Sequence, residues 1–241
     1  MKKQIPNFLT TLNLLSGCLA IVAAFENRLD WTAYFIAIAA IFDFLDGSIA
    51  RILNVKSEMG KQLDSLADMI SFGLVPGVIM YFLLEQSEPL PSLSVQGMQV
   101  IPFIGFFIPV FSALRLAKFN IDPRQTDKFF GFPTPANTLL IASIALINLK
   151  VFSKFDFLTT LTNHTWFLIL LTIISCYLLV SEIQLVSYKF KSLKWHENRV
   201  QYILIILTAI LLPIIRFAAI PIILLAYILL SILFKEKELS S

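Results

Sequence analysis

Apolar residues run along this chain in long blocks separated by short polar stretches. The first block, residues 10–25, carries Thr10, Thr11, Asn13 and Ser16, a spacing that predicts a helix with one face turned to a polar cavity. Residues 31–53 and 62–84 are more strongly apolar. At about 1.5 Å per residue, each can cross a hydrocarbon core of roughly 30 Å. A polar loop, 85–99, contains two prolines and no Lys or Arg. The fourth apolar segment covers 100–119, a charged loop covers 121–131, and Pro-Thr-Pro-Ala-Asn opens a fifth segment that continues to Val151. The sixth covers 166–186 and precedes a basic loop, 188–199. The last block, 200–234, is too long for one ordinary crossing and is broken by Pro213, Arg216 and Pro221. Two helices joined near residues 212–217 fit it best, because Pro disrupts a helix interior. The pattern predicts an all-α fold, a polytopic membrane helical bundle of about eight transmembrane helices.

Composition agrees. Of 241 residues, 57% are hydrophobic, 15% are charged and 22 are Phe, a balance outside the range of soluble domains. No polar stretch reaches the roughly 50 residues of a separate soluble domain. One integral membrane domain, 1–241, is expected, with membrane lipids around it. A net charge of +3 gives no support to nucleic acid binding. The 19 Lys and Arg are divided unevenly: fourteen fall on the side of both termini, four (Arg28, Lys150, Lys154, Arg216) on the other, and Arg115 lies within a helix. By the positive-inside rule, both termini face the cytoplasm. The basic N-terminus lacks a small-residue cleavage site and reads as the start of the first helix. Cys18 and Cys176 have no metal-ligand spacing around them and are expected to be buried, reduced thiols. Glu182 near a helix end is expected to snorkel, His164 and His196 to sit in surface loops, and Trp166 and Trp195 to anchor at the interface.

The chemistry concentrates in residues 43–68, DFLDGSIARILNVKSEMGKQLDSLAD. An ionised Asp in lipid costs several kcal/mol unless it is paired, metal-bound or facing water. Asp43 and Asp46 are i,i+3 neighbours on one helix face, and Asp64 and Asp68 are i,i+4 neighbours on another. The polar link 54–61, containing Gly60, lets the two helices run antiparallel and bring the pairs together. Four converging carboxylates form a site for hard divalent cations. Two such ions about 3.5–4 Å apart are the usual clamp on a phosphoryl displacement. The alternative is neutralisation of the four by Arg51, Lys56 and Lys61 in a solvated loop. Gly47, Ala50 and Gly60 let a ligand approach backbone closely, and Arg51 can pair with a phosphate. Because the acidic cluster lies near shared helix ends, the site sits at one membrane face.

Asp43-x2-Asp46-Gly47-x2-Ala50-Arg51-x8-Gly60-x3-Asp64-x3-Asp68 resembles, at every fixed position, the signature of the CDP-alcohol phosphatidyltransferases. These membrane enzymes move a phosphatidyl or related group from a CDP-linked donor to an alcohol and release CMP. The resemblance implies a two-metal site, Mg²⁺ or Mn²⁺, on Asp43, Asp46, Asp64 and Asp68. It implies CDP held by Gly47, Ala50, Arg51 and Gly60, and Asp68 as general base. A family PN…T…N stretch beside the nucleotide maps onto Pro6, Asn7, Thr10 and Asn13; for Asn13, a hydrogen bond to a neighbouring helix is the other reading. A six-helix catalytic core is expected within 1–186, hydropathy alone adds the C-terminal helices in 200–234, and the Lys and Arg asymmetry puts the active site on the cytoplasmic side of the cytoplasmic (inner) membrane, while the resemblance suggests a homodimer.

Arg115 in an apolar helix is a functional suspect; it can hold a carboxylate or phosphate, or pair with one of the motif's own Asp. Arg115, Leu116, Phe119, Asn120, Pro133 and Pro135 are similar to the RLxxFN…PxP pattern of the subfamily that accepts L-serine, with Phe132 where Leu is common. That likeness implies CDP-diacylglycerol and L-serine as substrates and Arg115, Phe119, Asn120, Pro133 and Pro135 at the serine. Glycerol 3-phosphate or an inositol phosphate are the alternative acceptors, and a divalent-cation transporter is the alternative class. A transporter would spread polar groups through the bilayer midplane, whereas here they gather at one face.

Overall fold

The structure is a computed structural model, which describes residues 4–55, 57–122, 129–149, 156–186 and 198–239. Lys2, Lys3, Lys56, Arg124, Lys128, Lys150, Lys154, Lys189, Lys191, Lys194, Trp195, His196 and the side chains of Lys235 and Lys237 lie outside the described residues.

Helix α1 (Gln4–Phe25) begins six residues ahead of the expected Thr10, with Pro6 in its first turn, where the missing N–H was unneeded. Asn27 at φ 56° turns the chain, Arg28 N donates to Ala23 O (2.9 Å), and α2 (Leu29–Ile52) returns along α1. Small residues Ser16, Gly17, Ala20, Ala23 and Ala24 are buried on α1. Large apolar side chains such as Phe8, Leu15 and Val22 point outward, as in a helix whose solvent is lipid.

The third apolar segment is one long helical run with a local change of winding. Helix α3 (Glu58–Asp68) starts four residues earlier than expected because Ser57 caps it, its hydroxyl accepting from Gly60 N at 3.2 Å. A π-helical segment, Met69–Leu74, follows directly on Asp68 and leads into α4 (Val75–Glu85). Pro76 explains the wide turn: it has no N–H to donate back to Phe72 O. Thr138 Oγ1 donates to that carbonyl instead, at 3.0 Å.

Strands β1 (Ser94–Val95) and β2 (Met98–Gln99) form a short hairpin in the loop before a 3-10 turn, Ile101–Phe106, and α5 (Phe107–Ile121). Strand β3 (Phe129–Phe130) precedes α6 (Thr134–Asn148), which Pro133 and Pro135 open. Helices α7 (Asp156–Thr162) and α8 (Thr165–Val180) follow. His164 is exposed in the short connection between α7 and α8, as expected, where it is the N-cap residue of α8 and its backbone is bridged to Glu88. The sixth segment ends at Val180, not Val186, because β4 (Gln184–Leu185) pairs antiparallel with β3. Helix α9 (Arg199–Ile215), a 3-10 turn at Arg216–Ala218 and α10 (Ala219–Leu239) complete the chain, the break falling beside the expected joint.

Among the described residues, the helical runs long and apolar enough to cross a membrane number five: Gln4–Phe25, Leu29–Ile52, Glu58–Glu85, Ile101–Ile121 and Arg199–Leu233. The last contains α9 and most of α10, and α6 and α8 are apolar but shorter, at 15 and 16 residues. The chain is therefore a helical integral membrane protein whose strands, among the described residues, are limited to two-residue pairs. Cys176 is buried as expected, but Cys18 is exposed on α1. An apolar neighbourhood along the chain does not mean burial when the outer face of a helix meets lipid.

The main core joins Val75, Ile79, Met80, Leu83, Ile108, Ile141 and Leu168 from α4, α5, α6 and α8. Without a hydrophobic drive between helices in lipid, close backbone approach supplies the packing. Gly105 shows how close: a Cβ there would lie 2.8 Å from Tyr81 N and 3.0 Å from Gly77 O. Backbone atoms of two packed segments cannot yield, and such overpacking costs about 1–3 kcal/mol. Gly105→Val is expected to lower the apparent melting temperature in detergent by several degrees; an unchanged melting temperature would contradict this packing.

Candidate active site

The motif residues meet at one end of the bundle. Asp43 lies in the C-terminal half of α2, and Asp64 and Asp68 lie on the last turns of α3. One carboxylate oxygen from each of these three can be chosen so that all lie within 4.8 Å of one another. Asp46, i,i+3 from Asp43, stands beside this triad; it is 6% exposed and accepts from Thr10 Oγ1 at 2.7 Å. Asn13 Nδ2 donates to Asp68 Oδ1 across a longer 3.4 Å.

Among the described residues, Arg51 and Lys61 do not neutralise the cluster. Arg51 turns outward and donates to Ser48 Oγ (3.3 Å), while Lys61 Nζ donates to Asn120 O (3.1 Å). Among the described residues the ion pairs are Arg28–Asp30 and Lys118–Glu182, so none involves the motif's carboxylates. Glu182 is thus engaged by Lys118, at 3.0 Å. Three oxygen donors converging without a protein cation match the chemistry of a hard metal ion, and the cluster could hold one.

Beside the acids lies a pocket of about 350 Å³ lined by Asn7, Thr10, Asp46, Gly47, Ala50, Ser57, Gly60, Lys61 and Asp64 among others. Three residues expected at the nucleotide, Gly47, Ala50 and Gly60, therefore line one cavity. Gly47 leaves it open: a Cβ added there would meet nothing within 4 Å. Asn13 and Arg51 do not line this pocket. Asn13 is fully buried against Asp68, and its main-chain carbonyl accepts from Ser71 Oγ at 3.0 Å.

Arg115 of α5 is buried, at 9% exposed. Its NH1 donates to Thr134 Oγ1 (3.3 Å), its guanidinium carbon lies 5.8 Å from the Phe119 ring centroid, and it is within Coulombic reach of Asp68. No hydrogen bond or ion pair joins it to a motif Asp, although that was one reading of the sequence. Asn120 and the two prolines play different parts. Asn120 Nδ2 donates to Ser65 Oγ at 2.8 Å and ties α5 to α3, while Pro133 and Pro135 shape the start of α6. Thr134, Ser112 and Asn137, buried beside Arg115 along α5 and α6, were not singled out from the sequence. Each is an isolated polar position in an apolar helix, and only its i,i+3 relation to Arg115 or Thr134 hinted at a shared face.

The profile of the CDP-alcohol phosphatidyltransferase family matches residues 3–234. The chain belongs to this family. It is 31% identical over 209 residues to the CDP-diacylglycerol--serine O-phosphatidyltransferase of Helicobacter pylori (strain ATCC 700392 / 26695), covering 85% of this chain and 80% of that protein. The protein of the same name from Bacillus subtilis (strain 168) is 31% identical over 192 residues, 77% of this chain and 91% of its own length. That from Mycobacterium leprae (strain TN) is 34% identical over 186 residues, 74% of this chain and 57% of its own.

For a CDP-alcohol phosphatidyltransferase, the open space at Gly47 is where a donor would press against α2. Gly47→Leu should leave the apparent melting temperature unchanged or higher, since Gly is about 1 kcal/mol less favourable than Ala in a helix. The same change should raise the KM for the CDP-linked donor about tenfold, measured by CMP release. An unaltered donor KM would show that the pocket is not the nucleotide site.

Proposed function

We propose that the protein transfers the phosphatidyl group of CDP-diacylglycerol to L-serine, giving phosphatidylserine and CMP. The observation that carries the choice of acceptor is Arg115, a buried guanidinium beside Asp68 with no ion-pair partner among the described residues. Arg115 and Asp46 are the buried charged residues among those described. A single cation suits one carboxylate better than the doubly charged phosphate of glycerol 3-phosphate or an inositol phosphate. The names of the relatives support the same acceptor.

In the proposed reaction the CDP moiety occupies the pocket bounded by Gly47, Ala50 and Gly60, with Thr10 fixing the Asp46 carboxylate in its wall. L-serine enters from the Arg115 side. Asn13 holds one oxygen of Asp68, leaving the other to take the proton of the serine hydroxyl. The serine oxygen forms a bond to the phosphorus bearing diacylglycerol as the bond from that phosphorus to the CMP oxygen breaks. Divalent ions held by Asp43, Asp64 and Asp68, with Asp46 adjoining, would neutralise the diphosphate and the charge developing on CMP. The proposal includes two ions per site, Mg²⁺ or Mn²⁺. It also places the site at the cytoplasmic face of the inner membrane, supported by the uneven distribution of Lys and Arg. A homodimer completes it, on the strength of the family resemblance.

Two measurements test it, both on purified protein with CDP-diacylglycerol, Mg²⁺ or Mn²⁺ and a panel of L-serine, glycerol 3-phosphate and inositol phosphate. CMP release is expected with L-serine alone, and Asp68→Asn should reduce it at least about a hundredfold while the protein remains folded. Substantial residual turnover would refute the base role. Arg115→Ala should raise the KM for serine more than that for CDP-diacylglycerol; equal effects on both would count against Arg115 as the carboxylate site.

A further inference from the structure

Polar atoms buried without partners are rare, and each asks for a ligand, a water or an ion. Four such atoms are Ser112 Oγ and Arg115 Nε of α5 and both Nδ2 and Oδ1 of Asn137 on α6, and a fifth is Asn13 Oδ1 on α1. Asn137 and Ser112 are fully buried, so neither reaches bulk solvent. In lipid, a buried primary amide with neither end bonded is costly.

Their placement ties them together. Ser112 and Arg115 are i,i+3 neighbours on α5, and Thr134 and Asn137 are i,i+3 neighbours on α6, so each pair shares a face. The Arg115–Thr134 hydrogen bond joins the two helices at 3.3 Å. Both helices also touch the π segment that follows Asp68. Thr138 of α6 bonds Phe72 O, and the Ser112 Cβ lies 3.2 Å from where a Cβ on Gly73 would stand.

We infer that Ser112 and Asn137, together with the free Nε edge of Arg115, form the acceptor subsite, and that the subsite takes a zwitterionic amino acid. This rests on the phosphatidyltransferase reading above and names the residues that choose the acceptor. The guanidinium of Arg115 receives the carboxylate. The amide oxygen of Asn137 and the hydroxyl of Ser112 accept from the ammonium, which also lies toward the acidic cluster. Both charges of the amino acid then find opposite partners, whereas a phosphate ester would bring two negative charges to one cation. A site built to bond a polar group rejects analogues lacking it, because its own buried groups are left unpaired.

The test measures CMP release by the full-length protein with CDP-diacylglycerol and either L-serine or 3-hydroxypropanoate, which keeps the hydroxyl and carboxylate but lacks the ammonium. The wild type should strongly prefer L-serine. Asn137→Ala should raise the KM for L-serine about tenfold, the loss expected for a hydrogen bond to a charged group. It should leave the KM for CDP-diacylglycerol within twofold and shrink the preference for L-serine over 3-hydroxypropanoate about tenfold. Ser112→Ala, the smaller change, should move the same quantities in the same direction by a few fold. Equal turnover of the two acceptors by the wild type would overturn the inference whether or not Asn137→Ala folds. So would serine KM values unchanged in both variants, which would leave buried water as the partner of those atoms. Parallel rises in both KM values would reduce the two residues to a structural role. If the wild type releases no CMP with L-serine but does so with glycerol 3-phosphate, the serine reading itself falls.

Discussion

The structure depends on negative charge held where it is poorly solvated. Asp43, Asp46, Asp64 and Asp68 lie within Coulombic reach of one another at the ends of apolar helices, and no Lys or Arg among the described residues is paired with them. Folding alone would not gather four carboxylates in this way, because each raises the cost of ionising the others. Two neutral donors, Thr10 and Asn13, come from α1 to hold Asp46 and Asp68. They fix geometry without cancelling charge. The described residues bring no paired cation to the cluster, and its all-oxygen donor set could hold a metal ion. Arg51 and Lys61, the two described cations nearest in sequence, are tied to Ser48 and Asn120 and so leave the cluster uncompensated.

Asp68 is also where the helix changes its winding, and the cause is local. Pro76 cannot donate to Phe72 O, the turn widens into a π segment, and the freed carbonyl is taken up by Thr138 of α6. One missing hydrogen bond thereby joins the acidic helix to the helix that lines the acceptor side. Ser71, in the same segment, bonds the backbone of Asn13, so α1 is fixed to it as well. The pocket beside the acids lies between α1, α2 and α3, and the unpaired atoms of Ser112, Arg115 and Asn137 belong to α5 and α6, which both touch the π segment. Asp68 immediately precedes that segment and lies within Coulombic reach of Arg115.

The acidic half of this site was readable from spacing because the chain carries it on two consecutive helices. Intervals of three and four residues put Asp43 with Asp46 and Asp64 with Asp68, and a short link lets the pairs face each other. The boundaries were less readable. Ser57 and Gly60 looked like parts of a loop, but a hydroxyl aimed at a free amide starts α3 there. Residues 181–186 looked like helix because they are partly apolar, but pairing with Phe129–Phe130 draws them into extended structure. Cys18 looked buried because hydropathy does not distinguish lipid from protein as the neighbour. Asn137 and Ser112 were hidden for a different reason: their significance lies in what they fail to bond, a property of the packed structure that no spacing encodes.

The start of α6 is held by segments far apart in the chain, and the C-terminal helices take part. Tyr227 Oη donates to Val186 O at 2.9 Å, and Ser231 Oγ accepts from Val186 N at 3.2 Å, so both main-chain groups of one residue are held by α10. Val186 directly follows β4, which pairs with β3. The turn after β3 is tight: Gly131 has φ 76°, and a Cβ there would lie 2.8 Å from Leu179 O. Its N–H donates to Ile183 O, and that of Phe132 to Leu178 O. Phe132 then buries itself against Leu204, Leu224 and Tyr227, and Pro133 starts α6 one residue later. Thr134 and Asn137 therefore take their positions from α8, β4 and α10 as well as from their own helix. A helix start held by so many separate contacts leaves Thr134 and Asn137 little freedom to turn aside, as a selective polar subsite requires.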